Sequence, residues 1–166
     1  MYDFQLDPAL PAQERYRQLT DMALALTDGE TDAIANMANL AALIWECVPD
    51  LNWAGFYRVV EEGSARELVL GPFMGRPACI RIAIGAGVCG TAASMAETQL
   101  VEDVHAFPGH IACDAASRSE LVVPILKDDF VVAVLDLDSP EPARFTREDA
   151  EGFESFVAAI APAITG

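Results

Sequence analysis

The spacing of apolar residues changes at Pro49. From Tyr16 to Val48 they recur every three or four positions, and from Leu51 onward they recur every two. Period three-to-four is an amphipathic helix and period two a half-buried strand. Any fold of this chain therefore places two helices ahead of a run of strands. Residues 8–27 carry Tyr16, Leu19, Ala23 and Leu26 on one helical face, and Asp28-Gly29 ends the run. Thr31-Asp32 can cap the second helix, in which Ile34, Met37, Ala41, Ile44, Trp45 and Val48 share a face until Pro49 stops it. Cys47, inside that helix, reads as a packing residue.

The strands follow. LNWAGFYRVV and ELVLGPFM flank a turn at residues 61–64, and CIRIAI (79–84) is a third strand. GAGVCGTAASMAE turns through Gly85 and Gly87 into a short helix, and QLVEDV (99–104) is a fourth strand. After the unpatterned loop VHAFPGHIACDAASRS, SELVVPILKDD and FVVAVLDLDSP make a hairpin around Asp128-Asp129. Thr146 to Asp149 match a capping box, and Phe153, Phe156, Val157 and Ile160 give a last helix its apolar stripe. This order leaves little place for crossovers between parallel strands, so the expected class is α+β: a mostly antiparallel sheet with the terminal helices on one face. With 166 residues, 52% of them hydrophobic, the chain is sized for a single domain, residues 1–166.

A formal net charge of −16 argues against nucleic acid and anionic membranes as partners. No stretch approaches the roughly 20 apolar residues of a membrane helix, and the N-terminal residues lack the basic and apolar regions of a signal peptide. A cytoplasmic protein is expected. Four cysteines in a chain of this size are not a disulfide framework, though transient redox chemistry stays open. His105, His110 and Cys113 have no common zinc spacing, so no metal is expected.

Cys113 stands in a loop of small residues, where a thiolate could meet solvent or substrate. Cys79 and Cys89 lie upstream, and Cys89 sits near a helix N-terminus, a position that favours thiolate. On the strand FVVAVLDLD, Val132, Val134, Asp136 and Asp138 share one face, and Val131, Ala133, Leu135 and Leu137 the other. Glu120 begins the neighbouring strand, so three acids can converge. Carboxylates clustered in a partly desolvated pocket repel one another, and one tends to keep its proton at neutral pH, ready as a general acid. Trp53, Gly55, Tyr57 and Val59 share a face of the first strand. They are either core beside a bulge or the wall of an aromatic slot.

NWAGFYRV, GPFMGRPACIRIAIGAGVCGTAA, HIACDAASRSELVVPI and AVLDLDSP together resemble the free methionine-(R)-sulfoxide reductase family, single GAF-domain enzymes. The match is closest from Asn52 to Ser139. The resemblance implies a GAF fold with a six-stranded antiparallel sheet and reduction of free L-methionine (R)-S-oxide. It implies Cys113 as the nucleophile that becomes a sulfenic acid, Cys79 as the cysteine that resolves it as a disulfide, and Cys89 as a secondary participant. Glu120, Asp136 and Asp138 would bind the substrate amine and sulfoxide, and Trp53 and Tyr57 would form the methyl pocket. Thioredoxin or another dithiol would regenerate the enzyme, with no resident cofactor. A homodimer is the assembly the resemblance suggests. Two rival readings are a GAF module that binds a small molecule such as a cyclic nucleotide, and a thiol sensor. Neither turns anything over, and the first usually sits beside an output domain for which this chain has no room.

Overall fold

A computed structural model describes residues 6–109 and 114–165. The two leading helices are α1 (Ala12–Thr27) and α2 (Ala33–Cys47). The first starts later than its periodicity suggests because Pro11 occupies its N-cap position and cannot continue a hydrogen-bonded turn upstream. The second is capped as expected, the Asp32 side chain accepting a hydrogen bond from the backbone N–H of Ala35.

Six strands follow: β1 (Trp53–Glu62), β2 (Ala65–Gly75), β3 (Arg81–Ala83), β4 (Gln99–Val101), β5 (Ser119–Lys127) and β6 (Phe130–Ser139). The short helix α3 (Gly87–Met95) falls between β3 and β4, and α4 (Arg147–Thr165) ends the chain. All neighbours pair antiparallel, in the order β3-β2-β1-β6-β5-β4. The third and fourth strands are shorter than the patterns CIRIAI and QLVEDV, and residues 104–106 form a 3-10 turn instead. Asp103 diverts the chain there by accepting the His105 backbone N–H.

Two local signals work as their chemistry demands. Asp128 and Asp129 both take positive φ (49° and 67°), the twist a two-residue hairpin loop needs, and they join the paired residues Lys127 and Phe130. Thr146 and Asp149 cap α4 reciprocally: the Asp149 N–H donates to Thr146 Oγ1, and the Thr146 N–H donates to Asp149 Oδ2 at 2.7 Å.

α1, α2 and α4 cover one face of the sheet. There Leu19, Leu40, Ile44, Phe56, Leu121, Leu135, Leu137, Phe153 and Phe156 are fully buried together. Each large apolar side chain removed from water contributes about 1.5–3 kcal/mol, so this face supplies most of the driving force. α3 packs against the opposite face, where Tyr57, Leu68, Val88, Val122 and Val134 form a second, smaller cluster.

One expectation of facing fails. Ile125 pairs with Ala133 while Leu126 pairs with Val131, so Val132 is an extra residue in β6. A bulge exchanges the faces of everything beyond it. Val131 therefore packs with the α3 side, and Val132 packs toward the three large helices. From Ala133 to Asp138 the expected alternation holds.

Candidate active site

The register of the central strands assembles the site. On the α3 face, Asp138 of β6 lies opposite both Trp53 of β1 and Glu120 of β5, and Asp136 lies opposite Gly55 and Val122. Directly opposed residues bring their Cβ atoms about 4.5–5.5 Å apart, so three carboxyl groups from two strands meet in one patch. The N-terminal turn of α3 closes over it. The resulting cavity has an empty volume of about 530 Å3 including its mouth, and Trp53, Tyr57, Cys89, Glu120, Asp136 and Asp138 all line it.

Gly55 makes the aromatic wall. A Cβ at that position would stand 2.3 Å from Phe73 Cβ and 2.8 Å from the Trp53 ring, so only glycine lets the indole lie flat across β1. The Trp53 ring then stacks between Phe73 (centroids 5.2 Å apart) and Tyr57 (5.8 Å). Its indole N–H donates to the Arg76 carbonyl at 3.1 Å, and the Tyr57 hydroxyl donates to the Cys79 carbonyl at 3.0 Å. Both readings of this face are realised at once: the rings are buried and they wall a slot. The β1–β2 register also shifts between Gly55 and Tyr57.

Two of the three acids are buried and Asp138 is half-buried, and among the described residues none of them makes a salt bridge. Glu120 and Asp136 are each 6% exposed. Burial first, then the charges of Asp136 and Asp138, hold the Glu120 carboxyl well above the usual carboxylate range. Asp138 is raised likewise by burial and by Asp136, a hydrogen bond from Ser117 opposing the shift. Asp136 is pushed up to about 6 by burial, while hydrogen bonding with Cys89 and Glu120 pulls it back. Asp136 Oδ1 is buried without a hydrogen-bond partner. Glu120 and Asp138 are thus both shifted well toward the protonated form, beside an Asp136 raised to about 6. Such a cluster has the chemistry to give up a proton and to meet a cation.

The three site cysteines have different fates. Cys79 is disulfide-bonded, and the residues just before it, Arg76, Pro77 and Ala78, line the cavity mouth. Cys89 is a buried thiol with Sγ 4.0 Å from Glu120 Oε1. The expectation that a helix N-terminus makes it a thiolate is corrected here. Burial first, then the neighbouring Asp136 and Glu120 carboxyls, push its thiol well up, the opposite direction to the one expected. Cys113 lies outside the described residues, as does His110. Cys47 packs against the helix-covered core on the far side of the sheet, and burial raises its thiol to about 11.

Residues that periodicity does not single out complete the cavity. Asp114 and Ser117 line it from the loop before β5, and Asn52 Nδ2 donates to both, at 3.3 Å to Asp114 Oδ2 and 3.0 Å to Ser117 Oγ. Arg76 reaches Asp114 at 3.9 Å but remains exposed. Gly87, Val88 and Cys89, the first turn of α3, line the cavity as well, and the first backbone N–H groups of a helix belong to that turn. Such groups have no acceptor within the helix and suit an anion. The cavity therefore combines an acidic floor, the first turn of α3 and an aromatic wall.

Comparison with known proteins places this architecture. Residues 39–165 match the model of the GAF domain family. Over 147 residues the chain is 48% identical to the free methionine-R-sulfoxide reductase of Escherichia coli strain K12, covering 89% of this chain and 87% of that protein. It is 42% identical over 156 residues to the free methionine-R-sulfoxide reductase of Saccharomyces cerevisiae, covering 91% and 86%. Among solved structures it superposes on a free methionine-R-sulfoxide reductase from Neisseria meningitidis in complex with its substrate. The TM-score is 0.91 at 39% identity, over 99% of this chain and 96% of that one.

Proposed function

This chain belongs to the GAF domain family and, within it, to the free methionine-R-sulfoxide reductases, which are oxidoreductases; from that premise we propose how its own residues carry out the reduction. The substrate is free methionine (R)-sulfoxide, an amino acid with an ammonium, a carboxylate and a sulfoxide on a short chain. The observation that carries the reading is the convergence of Glu120, Asp136 and Asp138 with Trp53 and Tyr57 around one cavity. The acids take the ammonium, the first turn of α3 takes the carboxylate, and the ring wall takes the S-methyl group.

Cys113 attacks the sulfoxide sulfur. The S–O bond breaks as a protonated carboxyl, Glu120 or Asp138, delivers its proton to the oxygen, which passes to Cys113 as a sulfenic acid and leaves methionine. The Cys79 thiol then displaces water from that sulfenic acid and forms a disulfide. A dithiol protein, thioredoxin, reduces the disulfide through a mixed disulfide, so no resident cofactor is needed. Two observations support these roles. Cys79 is disulfide-bonded beside the cavity mouth, and Asp114, next to Cys113 in the chain, lines the cavity. Cys89 contributes as a protonated thiol against Glu120 and Asp136, a secondary role.

Regeneration by a dithiol requires a compartment that keeps thiols reduced, and we assign the cytoplasm. Among the described residues no helix is long and apolar enough to cross a membrane. One GAF domain over residues 1–166, assembled as a homodimer, completes the proposal. The test is a pair of variants. Cys113→Ser abolishes turnover while the protein stays folded. Cys79→Ser accumulates a sulfenic acid at Cys113, trapped by dimedone and located by peptide mass spectrometry. A Cys113→Ser protein with wild-type rate refutes the assignment of the nucleophile.

A further inference from the structure

On the cavity floor, Cys89, Glu120 and Asp136 each present one ligand atom, and the three atoms lie within 4.8 Å of one another. Cys89 Sγ stands 4.0 Å from Glu120 Oε1. All three residues are buried. Asp136 Oδ1 is buried with no hydrogen-bond donor, a position that costs free energy unless something else supplies positive charge. Among the described residues nothing cationic on the cavity wall does so: Arg76, which lines it, has a side chain 77% exposed and turned toward Asp114.

We propose that this floor is a binding site for a borderline-soft divalent cation, zinc in the first instance, held by the Cys89 thiolate and one carboxylate oxygen each from Glu120 and Asp136. Zinc bonds of roughly 2.0–2.3 Å in tetrahedral geometry put ligand atoms about 3.3–3.5 Å apart, so side-chain rotations that bring a pair together by up to about 1.5 Å close the present spacing. One thiolate with two carboxylates disfavours magnesium and calcium, which take oxygen alone. Three protein ligands leave the fourth position to water. Binding removes the proton of the Cys89 thiol and any proton on the two carboxyls, releasing them to solvent as the metal takes their place. The ligands come from α3, β5 and β6, so no short motif announces them.

The consequence for turnover rests on the function proposed above. Zinc occupies the acids that the amino acid needs, so metal and sulfoxide exclude each other and zinc acts as a reversible inhibitor. The binding itself does not depend on that reading.

The experiment uses the whole chain, reduced with a non-chelating phosphine and titrated first with cobalt(II) and then with zinc. One equivalent of cobalt produces a near-ultraviolet thiolate-to-cobalt charge-transfer band, which zinc bleaches and free methionine sulfoxide suppresses. Cys89→Ser loses the band and binds zinc at least about tenfold more weakly, the order lost when even a supporting group at a metal site is removed. Cys47→Ser, whose sulfur lies across the sheet, keeps both. Asp136→Asn, checked by circular dichroism, weakens zinc binding in the same way and serves if the Cys89 variant fails to fold. No band and no uptake in the wild type at tenfold excess overturns the site, and so does uptake indifferent to both substitutions. Zinc binding by a protein that reduces no sulfoxide upholds the metal site and refutes the reductase reading. Turnover unaffected by saturating zinc, with metal uptake that Cys89→Ser does not weaken, upholds the reductase reading and refutes the metal site.

Discussion

β6 serves two surfaces of unlike character. Ala133, Leu135 and Leu137 face α1, α2 and α4, and the two carboxyl and amide side chains buried on that side, Asp149 and Asn36, are matched: Asn36 donates to the Ala163 carbonyl, and Asp149 accepts from Tyr16 and Thr146. Val134, Asp136 and Asp138 face α3. There the carboxyls confront one another and Cys89, and Asp136 keeps an oxygen without a partner. The helix-covered face gains stability from every residue it buries. The cavity face gives some of that stability up, because groups arranged to meet a ligand are left uncompensated until the ligand arrives. The two kinds of face are one residue apart along the same strand.

The contrast can be broken most sharply at the acids. Glu120→Gln and Asp138→Asn are expected to lower the turnover of free methionine (R)-sulfoxide by about 100-fold or more, the scale of lost acid catalysis, with the thermal midpoint unchanged or raised. Near-normal kinetics would return these carboxyls to a structural role. Leu135→Ala probes the other face. It should destabilise by about 2–5 kcal/mol in denaturant unfolding, while the folded fraction keeps its rate. A loss of rate without a loss of stability there would erase the division of labour.

The smallest effect is the most diagnostic of the cavity face. The Asp136 carboxyl is raised from its ordinary 3.8 to about 6, so between those values the folded protein holds a proton that the unfolded chain has released. Stability must then fall as pH rises from about 4 to about 6 and level off above, by about 1–3 kcal/mol from this group. The raised carboxyls of Glu120 and Asp138 extend the same fall upward. Asp136→Asn should flatten the lower part of the fall, as read by chemical denaturation across that pH range. A pH profile identical in the variant would show that the acid carries no uncompensated burden.

Much of this division is legible in the letters. The change of period at Pro49, the Thr146 and Asp149 box and the Asp128-Asp129 turn rest on local chemistry, and each forms as its residues dictate. So does the facing of Asp136 and Asp138, because a strand alternates whatever lies around it. The bulge at Val132 is hidden, since the apolar run FVVAVL reads the same with or without an extra residue. Arg76, Asp114 and Ser117 reach the cavity, and Asn52 holds the last two, from outside the strands' regular alternation, where period carries no information. The surroundings of Cys89 are hidden for another reason. Its place on α3 is local, but the carboxyls that raise its thiol come from two distant strands.

The central claim is that this cavity holds and reduces the free amino acid of one sulfoxide configuration. The direct measurement supplies thioredoxin with its reductase and reductant and follows consumption of each epimer of free methionine sulfoxide separately. The account predicts turnover of the R epimer with no comparable turnover of the S epimer, and loss of that turnover in Cys113→Ser. Equal consumption of both epimers, or of neither, would contradict it.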